Sequence, residues 1–216
     1  MTKQDMHLHS NFSDGKNSIE EMTKMAIKLG LERVTFTDHV RASTKWIDEY
    51  VKEIKRVQKK YPEINIYSGI ETKVINLDGN IDAKKSFFKK VDFVLAAFHR
   101  IPKENRIYLS KEEIIKNKKI ALNLWYKAIM RVLENKNVNI IAHPTSILKI
   151  YKIRLPKWIK EKIAKKAKEE NKIFEISGKH KVPNKNFIEI LKETGIKFSK
   201  GSDSHSIKEL KKYNKR

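Results

Sequence analysis

The stretch MHLHSNFSDGKNSIEEMTKMAIKLGLERVTFTDH, residues 6–39, holds the alternation on which the whole chain is built. A short apolar run, Met6–Leu8, leads into His7-Leu8-His9-Ser10. Ser18-Ile19-Glu20-Glu21 then reads as a capping box, in which a hydroxyl and a carboxylate satisfy free backbone N–H groups at a helix start. Met22, Met25, Ala26 and Leu29 recur at helical spacing, and Gly30 supplies a stop. Val34–Phe36 is the next apolar run, and Thr37-Asp38-His39 follows it. The unit is strand, helix, strand, with ionisable residues at each strand end.

Working outward, further apolar runs lie at Ile64–Ile70, Phe93–Phe98, Val138–Ala142, Ile173–Ile176 and Ile196–Phe198, which makes seven. Each has the length of a strand buried on both faces of a parallel sheet. Residues 44–60, 156–170 and 184–194 read as helices. Ser110 and Glu113 repeat the capping signature ahead of one long helix carrying Leu122, Trp125, Ile129 and Leu133. The alternation predicts an α/β fold with parallel strands. Periodicity leaves both a barrel and an open doubly wound sheet standing. No repeat or Gly/Ser linker divides the chain, so residues 1–210 are expected to form one domain and residues 211–216 a frayed basic tail.

The chain has 216 residues, 39% apolar and 34% charged, a composition that suits a globular protein with a sizeable core. No apolar run approaches the ~18 residues of a membrane span, and residues 1–10 lack an apolar signal region. Cysteine is absent, which excludes disulfides, thiolate nucleophiles, iron–sulfur clusters and cysteine-held zinc. A cytoplasmic protein with no membrane association is expected. Lys and Arg number 48 against 26 Asp and Glu, a formal charge of +22. Such an excess suits phosphate, nucleotide or nucleic acid. Only eight of the cations are Arg, the residue of bidentate phosphate and base contacts. The abundant Lys, Ile and Asn share AT-rich codons, so genome composition is a second source of the charge.

Seven histidines occur, and six of them (His7, His9, His39, His99, His143 and His205) fall at or just past a predicted strand end. Glu71 follows the third strand in the same way. In parallel barrels and sheets those ends share one face, and that face holds the chemistry. His7 and His9 are two residues apart, so on a strand both rings point the same way. Asp203 and His205 repeat that spacing. Asp38 and His39 point apart, which makes His39 a ligand and Asp38 a partner that orients an imidazole, or else a helix cap or turn residue. Histidine and carboxylate without sulfur suit Zn²⁺, Mn²⁺ or Fe²⁺. With Asp14, Glu71 and Asp203 the candidate ligands number nine, enough for two or three divalent ions.

The segments His7-Leu8-His9-Ser10, Ser13-Asp14-Gly15, Thr37-Asp38-His39, Gly69-Ile70-Glu71, Phe98-His99, Ala142-His143-Pro144 and Gly201-Ser202-Asp203-Ser204-His205 resemble the PHP superfamily (polymerase and histidinol phosphatase). The resemblance covers nearly the whole chain. It implies a distorted seven-stranded, TIM-barrel-like (β/α) fold and a metal-dependent phosphoesterase. It also implies a trinuclear arrangement: one ion held by His7, His9, Glu71 and Asp203, a second by Glu71, His99 and His143, a third by Asp14, His39 and His205. No ligand position is missing, unlike the related barrel of a ribonuclease P subunit that binds RNA without metals.

Three divalent ions, three carboxylates and a bridging hydroxide leave a site of about +2, matched to the dianion of a phosphate monoester. The expected reaction is in-line attack by that hydroxide. Arg100, next to His99, is a candidate phosphate contact. Arg41 and Lys200 are further substrate candidates. His180 is a candidate proton donor to the leaving group or substrate contact, with a plain loop residue as the bland reading. Trp46, Trp125 and Trp158 fall on helical patterns and read as packing residues. A histidinol-phosphatase-like enzyme with a small phosphorylated substrate is the leading expectation. A 3'-5' exonuclease or phosphodiesterase acting on nucleic acid or nucleotides is the alternative, and a non-catalytic basic nucleic-acid-binding barrel the third.

Overall fold

The computed structural model of the chain describes residues 3–104 and 106–214. Its strands are β1 (Gln4–Leu8), β2 (Arg33–Phe36), β3 (Asn65–Lys73), β4 (Phe93–Ala97), β5 (Pro102–Glu104), β6 (Ile107–Tyr108), β7 (Ile140–Ile141), β8 (Ile173–Ser177) and β9 (Lys197–Gly201). Its helices are α1 (Ile19–Lys28), α2 (Ile47–Lys60), α3 (Lys111–Lys116), α4 (Lys118–Glu134), α5 (Ser146–Ile150), α6 (Lys157–Glu169), α7 (Lys185–Glu193) and α8 (Ile207–Tyr213). Seven strands form one parallel sheet in the order β1-β2-β3-β4-β7-β8-β9. The antiparallel ribbon β5–β6 is a small insertion after β4.

The sheet curls until β9 meets β1. The His9 N–H donates to the Ser204 carbonyl at 2.9 Å. Deeper in the seam a side chain does the pairing. The Asp5 carboxylate accepts from the Ser202 N–H at 2.9 Å, the His7 N–H at 3.3 Å and Asn214 Nδ2 at 2.7 Å. A buried carboxylate thus satisfies backbone groups that a ladder would otherwise serve, and the barrel is nearly closed. Closure decides between the two sheet arrangements that periodicity left standing.

Apolar side chains occupy two zones. A large cluster joins strand residues such as Leu8, Phe36 and Ile70 to helix residues such as Met22, Tyr50 and Trp125. A separate small one contains only Leu95, Ala97, Ile140 and Ala142. The rest of the barrel interior is polar: His7, Glu71 and Glu175 are each 1% exposed. Burying one large apolar side chain is worth roughly 1.5–3 kcal/mol, so the outer layer stabilises a barrel whose middle is given to charge.

Four features depart from the sequence reading. The long helix after Ser110 is two helices, because Asn117 ends α3 and its side chain caps α4 by accepting from the Ile120 N–H at 3.0 Å. Strand β3 continues to Lys73, so Glu71 lies within a strand and pairs with Leu95. Residues 211–213 extend α8, and Asn214 bonds Asp5 at the seam, so the described part of the expected tail is helical and anchored; Lys215 and Arg216 lie outside the described residues. The ribbon β5–β6 had no signal in the periodicity. Trp125 is buried and Trp46 packs on Phe12 and Tyr50, while half-exposed Trp158 meets Tyr126 edge-on. No helix among the described residues is long and apolar enough to cross a membrane.

Asp5→Ala is expected to lower unfolding free energy by about 2–3 kcal/mol, because it orphans buried N–H donors at the seam. Urea denaturation measures this; a loss below about 0.5 kcal/mol would mean that the seam does not depend on Asp5.

Candidate metal centre

All nine predicted ligands converge at the C-terminal end of the barrel. Glu71, inside β3, is their hub. Its Oε1 lies 2.9 Å from His143 Nε2 and 3.3 Å from His99 Nε2. Its Oε2 lies 2.9 Å from His39 Nδ1, 3.5 Å from His7 Nε2 and 3.6 Å from His9 Nε2. His9 Nε2 is 3.3 Å from Asp203 Oδ1. Asp14 stands between His39, at 3.6 Å, and His205, at 3.4 Å. The donors fall into groups able to hold cations, among them His7–His9–Asp203, Glu71–His99–His143 and His9–Asp14–His39–His205.

Side-chain chemistry tests whether cations fit. His7 Nε2 and His9 Nε2 face each other at 3.0 Å, both inside the barrel. Two ring nitrogens at that spacing share one proton or chelate one ion. His9 Nδ1 is buried without a hydrogen-bond partner. Burial lowers His9 to about 3, which keeps its imidazole neutral and its lone pair free, the form that binds metal. Burial also opposes ionisation of Glu71. The charges of His7 and His99 and hydrogen bonds from His143 and His39 outweigh it and hold the carboxyl well below its usual range. For His7, burial is outweighed by the carboxylates of Glu175 and Glu71, which raise it well above an ordinary imidazole. The centre therefore favours positive charge, and the donor set fits divalent cations.

Two ligands sit in strained backbone: His143 at φ 67° and Asp203 at φ 53°, in the left-handed region. Asp203 and His205 consequently meet through a turn after β9, and not along an extended strand as the spacing suggested. Their side chains still approach to 3.5 Å.

Comparison with known proteins shows the family and the fold. The model of the PHP domain matches residues 5–179. The chain belongs to the PHP family. A probable phosphatase of Thermoanaerobacter sp. (strain X514) is 30% identical over 215 residues, covering 93% of this chain and 78% of the relative. The fold of a Listeria monocytogenes protein, whose histidinol phosphatase assignment is itself provisional, superposes with a TM-score of 0.76 at 16% identity, over 96% of this chain and 97% of that one. Histidinol phosphate phosphatase from Lactococcus lactis, solved with zinc, L-histidinol and phosphate, gives 0.71 at 21% identity, over 99% and 92%. The PHP match stops before Asp203 and His205, and the closing strand β9 brings both back to the centre.

Within this PHP barrel the remaining predicted residues fare unequally. His180 reaches the centre: its Nε2 is 2.8 Å from Asp203 Oδ2, and it lines a cavity of about 240 Å³ with His39, His99, His143 and His205. Asp38 does not orient an imidazole. Its buried carboxylate accepts from the N–H and hydroxyl of Ser10, at 2.9 and 2.8 Å, and of Ser13, at 3.2 and 2.7 Å. It pins the loop that carries Asp14, because Asp38 and His39 point apart. Burial pushes Asp38 up to about 6. Arg100 does not line the cavity; its guanidinium lies over the Tyr108 ring at 5.7 Å. Arg41 is exposed in the turn before α2, where its backbone N–H caps onto Thr44 Oγ1. Lys200 is corrected outright. Strand alternation turns Gly201 towards His7 and Glu175, so Lys200 faces out, beside Gln4 and Tyr213.

Two residues were missed. Glu175, on β8, accepts from His7 Nδ1 at 2.8 Å and fixes which ring nitrogen faces the centre. A Cβ at Gly201 would overlap this carboxylate, which explains the glycine. The available signal was a lone Glu inside the apolar run Ile173–Ile176. Lys179 donates to the Asp203 carbonyl at 2.9 Å and lies 3.6 Å from its carboxylate. Its neighbour His180 drew the attention in the sequence.

Glu175→Gln is expected to weaken binding of the tightest divalent ion by about 10–100-fold, measured by chelator competition, because His7 loses its orienting carboxylate. Unchanged affinity would make Glu175 a packing residue.

Proposed function

We propose that this PHP-family, metal-dependent phosphatase hydrolyses a small phosphate monoester at a trinuclear centre. The observation that carries the reading is Glu71: one buried carboxylate within 3.6 Å of five imidazoles. His7, His9, Asp203 and Glu71 would hold one ion, Glu71, His99 and His143 a second, Asp14, His39 and His205 a third. Ions so held, of Zn²⁺, Mn²⁺ or Fe²⁺ type, acidify water and offset the charge of a phosphate. Glu175 adds a fourth carboxylate to the three counted from sequence, which lowers the formal charge of the loaded centre to about +1.

The chain's own residues do the positioning. Glu175 fixes His7, and Asp38 fixes the Ser10–Ser13 loop and through it Asp14. His180 borders the cavity with Nε2 on Asp203, placed to pass a proton to a departing alkoxide or to hold Asp203 in register. The cavity is lined also by Phe98, Ile147 and Ile150, apolar walls that limit water around the leaving group. Histidinol phosphate is the first substrate to test, since the Lactococcus lactis relative was solved with L-histidinol and phosphate. The charge of +22 keeps a nuclease reading as the second one. The absence of cysteine fits a cytoplasmic setting.

Phosphate release across histidinol phosphate, mononucleotides, sugar phosphates and a short oligonucleotide, with Mn²⁺ or Zn²⁺ supplied, tests the reading. Turnover of a monoester is expected, with a loss of at least about 10³-fold in His7→Ala and on chelation. Cleavage of internal diesters alone would replace the phosphatase by a nuclease. Full activity in Asp203→Asn would refute the ligand assignment.

A further inference from the structure

A second concavity adjoins the catalytic cavity across a shared wall. Helix α5 gives Ser146, Ile147 and Ile150 to the catalytic side and Lys149 to the other; the turn after β8 gives His180 to the first and Lys181 to the second. Lys149 Nζ ties the wall together, donating to the carbonyls of His180 at 2.7 Å and Lys181 at 3.3 Å. The groove beyond encloses about 1180 Å³. Lys149, Lys152, Arg154, Lys157, Lys160 and Lys181 line it, with no acidic side chain among the lining residues.

The lining is basic without an acidic member. Some cations elsewhere meet carboxylates: Glu20 takes Lys24, Arg56 and Lys60, and Glu170 takes Lys136 and Lys166. In the groove, among the described residues, only Lys157 has an acidic partner, Glu161 at 3.7 Å. Lys160 is the telling member. It is 7% exposed, and its ammonium has one polar partner, Asn186 Oδ1, at 2.6 Å. Burial and the nearby Arg154 both pull its pKa down. A partly desolvated ammonium beside a second cation, with no counter-ion, is a favourable place for a bound anion.

We propose that this groove binds a second phosphate group of the substrate, so that the enzyme prefers monoesters whose leaving group is itself phosphorylated. The proposal rests on the monoester reading above and narrows it. Uncompensated lysines repel the amine of an amino alcohol such as histidinol and attract an anion. The lining holds no aromatic side chain, so the groove offers no base-stacking platform and recognises phosphate, not bases.

The test uses the protein purified with its metals and two ligands that it cannot hydrolyse. These are the 5'-methylenephosphonate analogues of thymidine 5'-phosphate and of the dinucleotide pTpT, which differ by one internal phosphate and one nucleoside. Calorimetry is expected to show the dinucleotide analogue binding about tenfold tighter or better, the worth of one or two charged hydrogen bonds. Lys152→Glu with Arg154→Glu should erase the difference. Lys118→Glu with Lys119→Glu, an equal charge change outside the groove, should keep it. Equal affinity for the two ligands, or equal loss in both double variants, would overturn the groove. A gain that continues with every nucleotide up to a decamer would replace the second phosphate by a nucleic-acid strand and overturn the proposal. Binding as expected, with native pTpT and thymidine 5'-phosphate both left intact, would sink the monoester reading and leave the anion site standing.

Discussion

One buried carboxylate organises this molecule. Glu71 is 1% exposed, and five imidazoles from four stretches of chain stand within 3.6 Å of its oxygens. A lone carboxylate at that depth would be neutralised by protonation. Here the surrounding rings keep it ionised, and His7 Nε2 meets His9 Nε2 at 3.0 Å, a spacing that one shared proton or one cation satisfies. The fold brings the rings together because the strand order follows the chain, so strands entering the sheet in succession end beside one another.

That convergence has a structural cost, and the barrel shows where it is met. Parallel strands buried on both faces usually fill a barrel with layers of branched apolar side chains. This barrel keeps one small cluster, Leu95, Ala97, Ile140 and Ala142, and gives the remaining interior to His7, Glu71 and Glu175. The layer between strands and helices carries the hydrophobic stabilisation instead. Strained backbone at His143 and Asp203 persists because the surrounding contacts over-determine both positions. The same economy appears at the seam, where Asp5 serves backbone groups of β1 and β9 and the side chain after α8 at once.

The positive charge of the chain is not uniform in meaning. Some helix lysines, Lys24, Lys60 and Lys166 among them, sit near carboxylates, and such surface pairs contribute little. Of the cations lining the groove beside the metal centre, only Lys157 has an acidic partner among the described residues, and Lys160 is 7% exposed. A net charge says that an anion is favoured somewhere; the pattern of missing counter-ions says where.

The sequence by itself determined which ionisable residues stand at strand ends. Strand period, capping boxes and the position of each His at a strand end are local properties, set by a few neighbouring residues, and they hold whatever the rest of the chain does. His7, His9, His39, His99 and His143 were legible for that reason, as was the strand–helix alternation that yields the barrel. Tertiary structure decided what each residue touches. Glu175 meets His7 across 168 residues, Asp38 meets Ser10 and Ser13 rather than a ring, and Asp5 meets Ser202 across 197. No local pattern encodes such pairs, because each exists only once the sheet has curled and its two edges have met. The break at Asn117 and the strained turn at Asp203 belong with them: side-chain capping and seam closure override the periodicity that pointed to one helix and to an extended strand.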